Sequence, residues 1–252
     1  MPARVCSLSM HTIALVADTH GWLDNQLCSA LAAAKVTHIL HAGDVGPGQR
    51  KGVNRLDARS LLAALSKVSP VDAVRGNTDD DTLPPKLVYT AGAVRFFVHH
   101  GYAIEEAGLP DWKDEDAVLA ALEPAGGWRT SGDIIVQGHS HKPRFVRHAS
   151  GVTFLNPGTA GGATETNRFG KSLPQQCAVV RCSEGPGFEV SAIDLKTGVA
   201  RIWSAEGEEL QEEATNNIVT GVAAATHKRM RPASPAPRTA ARKARRRSGP
   251  LV

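Results

Sequence analysis

Two histidines one residue apart follow a short apolar run in the segment DIIVQGHSH, at His139 and His141. In an extended chain, side chains at positions i and i+2 point to the same side, so both imidazoles can reach one point. The same spacing occurs earlier, where Asp18 and His20 follow the apolar run HTIALVA. Imidazoles and carboxylates are common ligands of transition metals. Both pairs are therefore candidate metal ligands, although a polar loop with two solvated histidines would explain the later pair alone.

Three more metal-type side chains stand where an apolar run ends. Asp44 follows THILHAG, Asn77 follows VDAVRG, and His100 follows VRFFVH. In parallel α/β sheets, ligands collect at the strand ends on one side of the sheet. Each short motif is common by itself, but their shared position at strand ends predicts that the side chains converge.

The chemistry of the combined set favours metal ions. It contains three oxygen donors and four imidazoles, at Asp18, His20, Asp44, Asn77, His100, His139 and His141. Seven ligands are too many for one tetrahedral zinc but suit two ions that share a carboxylate. A nitrogen and oxygen set without sulfur favours Mn²⁺, Fe, Zn²⁺, Co²⁺ or Ni²⁺ over Ca²⁺. Two such ions would attract a phosphate oxygen and acidify a bridging water.

The elements that must position these side chains alternate in type through the first half of the chain. Strand-like runs such as HTIALVA and THILHAGD are separated by helix-like ones, WLDNQLCSALAAAK and LDARSLLAALSKV. YTAGAVRFFVHH indicates a hairpin, and DEDAVLAALE a short helix. The second half is mostly strand, in DIIVQG, PRFVRH, VTFLNPG, QCAVVRC and FEVSAIDL. This order predicts an α/β fold in which sheets pack together with helices outside.

The composition is that of an ordinary globular protein, with 42% hydrophobic and 21% charged residues. No apolar run approaches the ~20 residues that span a bilayer, and the start of the chain lacks a signal-peptide pattern. The four cysteines form no C-x-x-C pair and are expected to be reduced. A cytoplasmic protein with no membrane partner is the expectation.

Charge divides the chain into two parts. From His227 onward there are nine Lys or Arg and no acidic residue, so the remainder holds 29 − 9 = 20 basic against 25 acidic side chains. We expect a domain over 1–203, then an acidic segment and a basic, Pro/Ala/Arg-rich, disordered tail over 204–252. The tail could be inert, bind nucleic acid, or engage an import receptor and direct the protein to the nucleus. The oligomeric state is left open.

The motifs DTHG, HAGD, GNTD, HHG and GHSH follow one another in this order. Together they resemble the calcineurin-like metallophosphoesterases, and most closely their small phosphodiesterase branch of bacteria and archaea. The resemblance covers roughly residues 13–195. It implies a four-layer α/β/β/α sandwich of two mixed sheets flanked by helices, with a two-metal site on loops at the strand ends.

The resemblance also implies a role for each candidate ligand. Asp18, His20 and His141 would hold the first ion, Asn77, His100 and His139 the second, and Asp44 would bridge both. Mn²⁺ is the leading candidate, with Zn, Fe, Co and Ni as alternatives. The implied activity is hydrolysis of a small-molecule phosphodiester by in-line attack of a bridging hydroxide, with Asp44 and Asn77 in the catalytic set. Arg75 could contact the substrate phosphate, or form a surface ion pair.

Three other functions stay open. The substrate could be a phosphomonoester of a protein or a nucleotide, the tail could recruit a nucleic acid to a nuclease, or the chain could be a non-catalytic, protein-binding scaffold like the retromer subunit of this fold. One departure bears on the enzyme: many relatives continue the third motif as GNHE, whose histidine aids the reaction, whereas Thr78 stands here. Protonation of the leaving group would then come from water or be dispensable, which suits a good leaving group.

Four residues near the candidate ligands have other expected roles. His99 and His41 are expected to be structural, with hydrogen bonding behind the site as the alternative for His41. Asp79 is either part of a solvated turn or a rival ligand. Asn156 belongs to a turn that lines the pocket in the related family.

Overall fold

The computed structural model describes residues 9–23, 25–48, 55–101, 114–122, 132–161, 173–203 and 209–212. Twelve strands and three helices lie in these ranges. The strands are β1 His11–Val16, β2 His38–His41, β3 Val71–Ala73, β4 Lys86–Ala91, β5 Val94–His99, β6 Asp133–Gln137, β7 Arg144–Arg147, β8 Thr153–Asn156, β9 Gln176–Cys182, β10 Phe188–Asp194, β11 Ala200–Trp203 and β12 Glu209–Glu212. The helices are α1 Asn25–Ala33, α2 Ala58–Leu65 and α3 Glu115–Leu122.

The strands form two mixed sheets. The first has the order β12-β11-β10-β9-β1-β2-β3, and the second β4-β5-β6-β8-β7. β1, β2 and β3 run parallel to one another, as do β5, β6 and β8. The remaining pairs are antiparallel. Each sheet therefore has a parallel centre whose carboxyl strand ends share one edge, as the motif positions predict.

Three apolar clusters show how the layers stack. One lies between the sheets and joins residues such as Leu15 of β1 to Phe96 of β5. A second packs Leu27 of α1 and Leu61 of α2 on the outer face of the first sheet. The third packs α3 on the outer face of the second sheet. The molecule is an α/β sandwich with two sheets inside and helices outside, which confirms the predicted fold class.

The local signals behind the elements are ordinary. Asp57 caps α2, because its side chain accepts a hydrogen bond from the Ser60 amide. The β4–β5 hairpin turns at Gly92, whose φ is 55°. Among the described helices, none is long and apolar enough to cross a membrane.

The predicted segment after residue 203 falls largely outside the described residues. Of 204–252, the structure describes only Glu209–Glu212, which pairs with β11 as an edge strand. The basic tail lies outside the described residues, so its disorder remains a prediction.

Candidate metal centre

The candidate ligands lie directly after the strands of the parallel centres. Asp18 and His20 follow β1, Asp44 follows β2, and Asn77 follows β3 in the first sheet. His100 follows β5, and the two later histidines follow β6, in the second sheet. The loops of the first sheet are joined by backbone hydrogen bonds, for example from the Asp18 amide to the Gly43 carbonyl at 3.0 Å. The site thus draws its side chains from both halves of the sandwich.

Backbone strain is concentrated at these positions. Six non-glycine residues in the described ranges have positive φ, and five of them are candidate ligands: Asp18 (54°), His20 (48°), Asp44 (52°), His139 (67°) and His141 (57°). The left-handed region costs an L-residue on the order of 1 kcal/mol or more unless the surroundings impose it. Such conformations cluster at functional sites, where they aim side chains that regular strands could not aim.

The first group of side chains is tight and mostly buried. His20 Nε2 and His141 Nε2 lie 3.1 Å apart, and His141 Nε2 lies 3.3 Å from Asp18 Oδ1. One ligand atom from each of Asp18, His20, Asp44 and His141 lies within 4.8 Å of the others. This is a compact set of nitrogen and oxygen atoms of the kind that surrounds a transition-metal ion.

The second group centres on the amide of Asn77. Its Oδ1 lies 3.0 Å from His100 Nε2 and 3.0 Å from His139 Nδ1. His100 Nδ1 lies 2.8 Å from the Ala42 carbonyl. Because a carbonyl only accepts, the Nδ1–H donates to it, and Nε2 faces the Asn77 side chain. Such a hydrogen bond behind a histidine is a common way to orient a metal ligand.

Asp44 lies between the two groups. Its Oδ2 is 3.7 Å from His20 Nδ1, and its Oδ1 is 3.4 Å from His100 Nε2. One carboxylate thus faces both groups with different oxygens. The Asp44 carboxylate also accepts a hydrogen bond from the Thr78 amide at 2.9 Å.

Burial and exposure divide the site into a floor and a rim. Asp18, His20, Asp44 and His100 are buried, whereas Asn77 is exposed. His139 and His141 are half-buried. Solvent, and a ligand from solvent, can reach the second group from the Asn77 side.

The buried Asp18 carboxylate on the floor of the site would be stabilised by a cation. Burial acts to raise the pKa of Asp18, but the hydrogen bond with His141 and the charges of His100, His141 and His20 outweigh it, so its pKa lies below the usual value. Asp18 is fully buried, and its Oδ2 has no hydrogen-bond partner in the described part of the chain. A buried carboxylate with an unpartnered oxygen is costly unless a positive ion compensates it. The donor set and this oxygen both fit divalent metal ions.

The pKa of Asp44 is shifted in the opposite direction from that of Asp18. Burial raises its pKa, and the neighbouring His100 and the Thr78 amide offset this only in part. Its carboxylate therefore lacks sufficient positive charge among the protein groups around it. A cation between the two groups would stabilise the ionised form.

Arg75 makes a contact that the sequence had left as an alternative. Its guanidinium forms an ion pair with Asp81, which is 93% exposed. Its backbone amide donates to the Pro84 carbonyl at 2.7 Å. The predicted contact between Arg75 and a substrate phosphate stays a prediction.

Asp79 is neither a solvated turn residue nor placed as a ligand. Its Oδ1 accepts from the Gly46 amide at 2.8 Å, and its Oδ2 from the amides of Val45 and Gly76 at 3.1 and 2.9 Å. These bonds tie the loop that carries Asp44 to the loop that carries Asn77. The only sequence signal for Asp79 was its position two residues after Asn77. That signal does not indicate that its carboxylate joins the two loops.

Two histidines lie beside the ligands without joining them. His41 is buried, and its Nε2 lies 3.0 Å from Thr19 Oγ1. Thr19 is the residue between the candidate ligands Asp18 and His20 in the sequence. Burial lowers the pKa of His41 to about 4. His99 is buried with its ring 5.6 Å from that of Phe97, and burial lowers its pKa to about 3. Both are neutral at physiological pH.

The side chains of Asn156 and Thr159 hold the loops that carry candidate ligands. Asn156 Nδ2 donates to the Gly138 carbonyl at 2.8 Å and to Ser140 Oγ at 3.1 Å. Thr159 Oγ1 donates to the Asp18 carbonyl at 2.9 Å. Asn156 therefore positions the GHSH loop, which the expectation of a pocket-lining role did not specify. The only sequence signal for Asn156 was the turn-forming sequence NPG.

Comparison with known proteins identifies the family. The sequence profile of the calcineurin-like phosphoesterase superfamily domain matches residues 11–184. A probable metallophosphoesterase of Methanocaldococcus jannaschii is 27% identical over 126 residues, which is 50% of this chain and 54% of that protein. The chain thus spans about half the length of that curated relative.

Solved structures share the fold. Vacuolar protein sorting 29 of Cryptosporidium parvum is 21% identical and superposes with a TM-score of 0.57, covering 81% of this chain and 99% of that one. The phosphoesterase Yfce of E. coli is 20% identical with a TM-score of 0.51, covering 75% and 96%. At these identities the likeness bears on the fold alone.

Proposed function

This chain belongs to the calcineurin-like phosphoesterase superfamily, and from that membership we propose that it is a metal-dependent phosphodiesterase with two divalent ions. The observation that carries the proposal is the position of Asp44. Its two oxygens face two separate groups of candidate ligands, at 3.7 Å from His20 Nδ1 and 3.4 Å from His100 Nε2. A single ion would need only one of these groups.

Each group supplies ligands of the same kind. Asp18, His20 and His141 would hold one ion, and Asn77, His100 and His139 the other. Mn²⁺ is our first choice, with Zn²⁺, Fe, Co²⁺ and Ni²⁺ as alternatives for an oxygen and nitrogen set. When bound, the ions would supply the positive charge and the activated water that phosphoester hydrolysis needs.

The protein groups around the ions would orient the substrate. The exposed edge at Asn77 and the half-buried His139 leave the second group open to an incoming phosphate. Thr78 donates its amide to Asp44 and cannot act as an acid near neutral pH. The leaving group would take its proton from water, so the enzyme should favour esters with acidic leaving groups.

The test is hydrolysis of bis-p-nitrophenyl phosphate with added Mn²⁺. We expect metal-dependent turnover in the wild type and loss of roughly 10³-fold or more in Asp44→Ala. Asp72→Ala is the matched control, because Asp72 is an exposed strand carboxylate paired with His38. Faster turnover of p-nitrophenyl phosphate than of the diester would favour a phosphomonoesterase instead.

A non-catalytic scaffold is the second candidate, favoured by the likeness to vacuolar protein sorting 29. The presence of all seven candidate ligand side chains in this chain argues for the enzyme. Turnover discriminates the two: metal-dependent hydrolysis, with two ions per chain by elemental analysis, supports the hydrolase, whereas no metal-dependent turnover supports the scaffold.

The basic tail adds a proposal about partners and location. We propose that the Lys/Arg run after residue 226 binds an import receptor or nucleic acid, in an otherwise cytoplasmic protein. Salt-sensitive nucleic-acid binding that disappears when the tail is deleted would support a nuclease.

A further inference from the structure

Arg55 lies beside the first group of candidate ligands, on the segment that leads into α2. One of its guanidinium nitrogens, Nη1, donates to the His20 carbonyl at 2.6 Å, and the Leu56 amide donates to the Gly21 carbonyl at 2.8 Å. A Cβ on Gly21 would lie 2.5 Å from the Leu56 carbonyl oxygen, so the two segments are in close contact. The guanidinium is therefore fixed against the backbone of a candidate ligand.

The guanidinium lies on the side of the His20–Gly21 peptide that faces away from the loop of Asp44. On the near side, the Gly21 amide donates to the Val45 carbonyl at 2.7 Å. The carbonyl and the N–H of one trans peptide point in opposite directions, and the described residues contain no cis peptide. The His20 carbonyl, which accepts from Arg55, therefore points away from Val45. Arg55 is thus a neighbour of the proposed first ion and not of the bridging position between the ions.

The positive charge of Arg55 has no carboxylate partner in the described part of the chain. The nearest acidic residue in sequence, Asp57, accepts instead from the amide and the hydroxyl of Ser60 at the start of α2. Arg75, by contrast, forms an ion pair with Asp81. Arg55 is half-buried, so part of its side chain meets solvent. A guanidinium presents its N–H donors in a planar fork that suits phosphate oxygens.

The reacting phosphate of a diester does not account for this cation. That phosphate has two non-ester oxygens, and the two ions of the proposed centre already supply positive charge to it. A guanidinium beyond the His20–Gly21 peptide would meet the next part of the substrate, which is attached through an ester oxygen. The group that a guanidinium binds best at that place is a second anion.

We propose that Arg55 binds a second anionic group of the substrate, and that the preferred substrates are phosphodiesters in which one ester group carries a further phosphate. This inference rests on the proposed function, because it names the substrate class of the same metal centre. Arg55 supplies binding and not a proton, since a guanidinium stays protonated in proteins.

The kinetic test compares two substrates that differ in one phosphate. They are thymidine 5′-(p-nitrophenyl phosphate) and the same ester with an added 3′-phosphate, which share the reacting diester and the leaving group. With the full-length protein and Mn²⁺, we expect a KM roughly tenfold lower for the ester with the 3′-phosphate, because a charge-assisted hydrogen bond contributes on that order. Arg55→Gln should make the two KM values equal.

A binding measurement makes the same comparison without turnover. In isothermal titration calorimetry of the Mn²⁺-loaded wild type, thymidine 3′,5′-bisphosphate should bind roughly tenfold more tightly than thymidine 5′-phosphate. Arg55→Gln should bind the two alike, and Arg55→Lys, which keeps the charge without the planar fork, should keep part of the preference. Arg59→Gln, on the exposed side of α2, is the matched control and should keep all of it.

The outcomes separate this inference from the proposed function. Equal KM values in the wild type, or a preference for the 3′-phosphate that persists in Arg55→Gln, would overturn the role of Arg55 and leave the phosphodiesterase in place. The absence of Mn²⁺-dependent hydrolysis of either ester would overturn the phosphodiesterase. The calorimetric comparison of Arg55→Gln with the wild type would then decide the contact of Arg55 by itself.

Discussion

At the scale of single residues, the candidate ligands could be predicted because their chemistry survives in the sequence. Asp18 and His20, like His139 and His141, are two residues apart in the sequence and directly follow a strand-like run. This spacing is visible without a structure. The residues that hold them could not be predicted in the same way. Asp79 and Asn156 act through backbone groups that are 33 and 18 positions away, and no local pattern encodes such a bond.

Asp79 gives the prediction that belongs to this scale. Its carboxylate accepts three hydrogen bonds from backbone amides in the loops of Asp44 and Asn77. Asp79→Asn keeps the shape but replaces one acceptor oxygen with a donor, so at least one amide loses its bond. We expect the affinity for Mn²⁺ to fall roughly tenfold to a hundredfold, measured by titration of the metal-free protein.

Asp80→Asn is the control for that change. Asp80 is exposed and bonds only to Thr82 among the hydrogen bonds of the described residues. Its substitution should leave the metal affinity unchanged. Equal affinities in Asp79→Asn and the wild type would show that the two loops hold their positions without the carboxylate.

At the scale of elements, the strands and helices follow their local signals closely. The apolar runs before each motif are β1, β2, β3, β5 and β6, and the helical periodicity of LDARSLLAALSKV gives α2. The pairing order was not predictable. β8 lies between β6 and β7, and β9 lies next to β1, because these neighbours are set by packing between distant parts of the chain.

Glycines in the motifs show how closely these elements approach. A Cβ on Gly76 would overlap the backbone nitrogen and Oδ1 of Asp44, and a Cβ on Gly138 would lie 2.6 Å from the Ala42 carbonyl oxygen. Only glycine lets the loops after β3 and β6 pack against the loop after β2. This explains physically why GN and GH begin with glycine.

Gly76→Ala tests this packing. The added methyl must push Asp44 away, and displacement of a reacting group by about 1 Å can cost roughly 10²-fold in rate. We expect that loss in Mn²⁺-dependent hydrolysis of bis-p-nitrophenyl phosphate. Gly185→Ala, where the nearest atom is 3.5 Å away, should retain activity, and full activity in Gly76→Ala would contradict the overlap.

At the scale of the whole molecule, the candidate centre joins the two sheets. His100, His139 and His141 come from the second sheet, and the other candidate ligands from the first. Ions held between them would bind the folded chain and not the unfolded one, which adds about 2.7 kcal/mol of stability at a concentration a hundred times the Kd. We expect the Tm to rise with Mn²⁺ and to fall with EDTA, by differential scanning calorimetry.

His141→Gln supplies the comparison for the metal effect. It removes one ligand of the first group, so the rise in Tm with Mn²⁺ should shrink. An equal rise in the variant and the wild type would place the stabilising ion elsewhere.

Two buried histidines predict how the metal-free molecule responds to acid. The folded-state pKa values of His41 and His99 are about 4 and about 3, below the ordinary 6.5. Between pH 6.5 and these values the unfolded chain binds protons that the folded chain does not, so stability is present above pH 6.5 and is lost as the pH falls. Each histidine contributes a slope of up to about 1.4 kcal/mol per pH unit.

Urea unfolding in EDTA at pH 7.0 and 5.0 measures this slope. The free energy of unfolding should be lower at pH 5.0, and His99→Gln should reduce the difference. A pH-independent free energy would mean that His41 and His99 titrate alike in both states.

The contact between His20 and His141 joins positions 121 residues apart in the chain. A ribosome makes the amino-terminal half first, with both candidate carboxylates and the imidazoles of His20 and His100, before the GHSH loop emerges. A growing polypeptide therefore cannot bring together either of the two proposed ligand groups until β6 and its loop have left the exit tunnel. The proposed metal acquisition therefore cannot precede the emergence of β6, which leaves the tunnel before β9 to β12 of the first sheet.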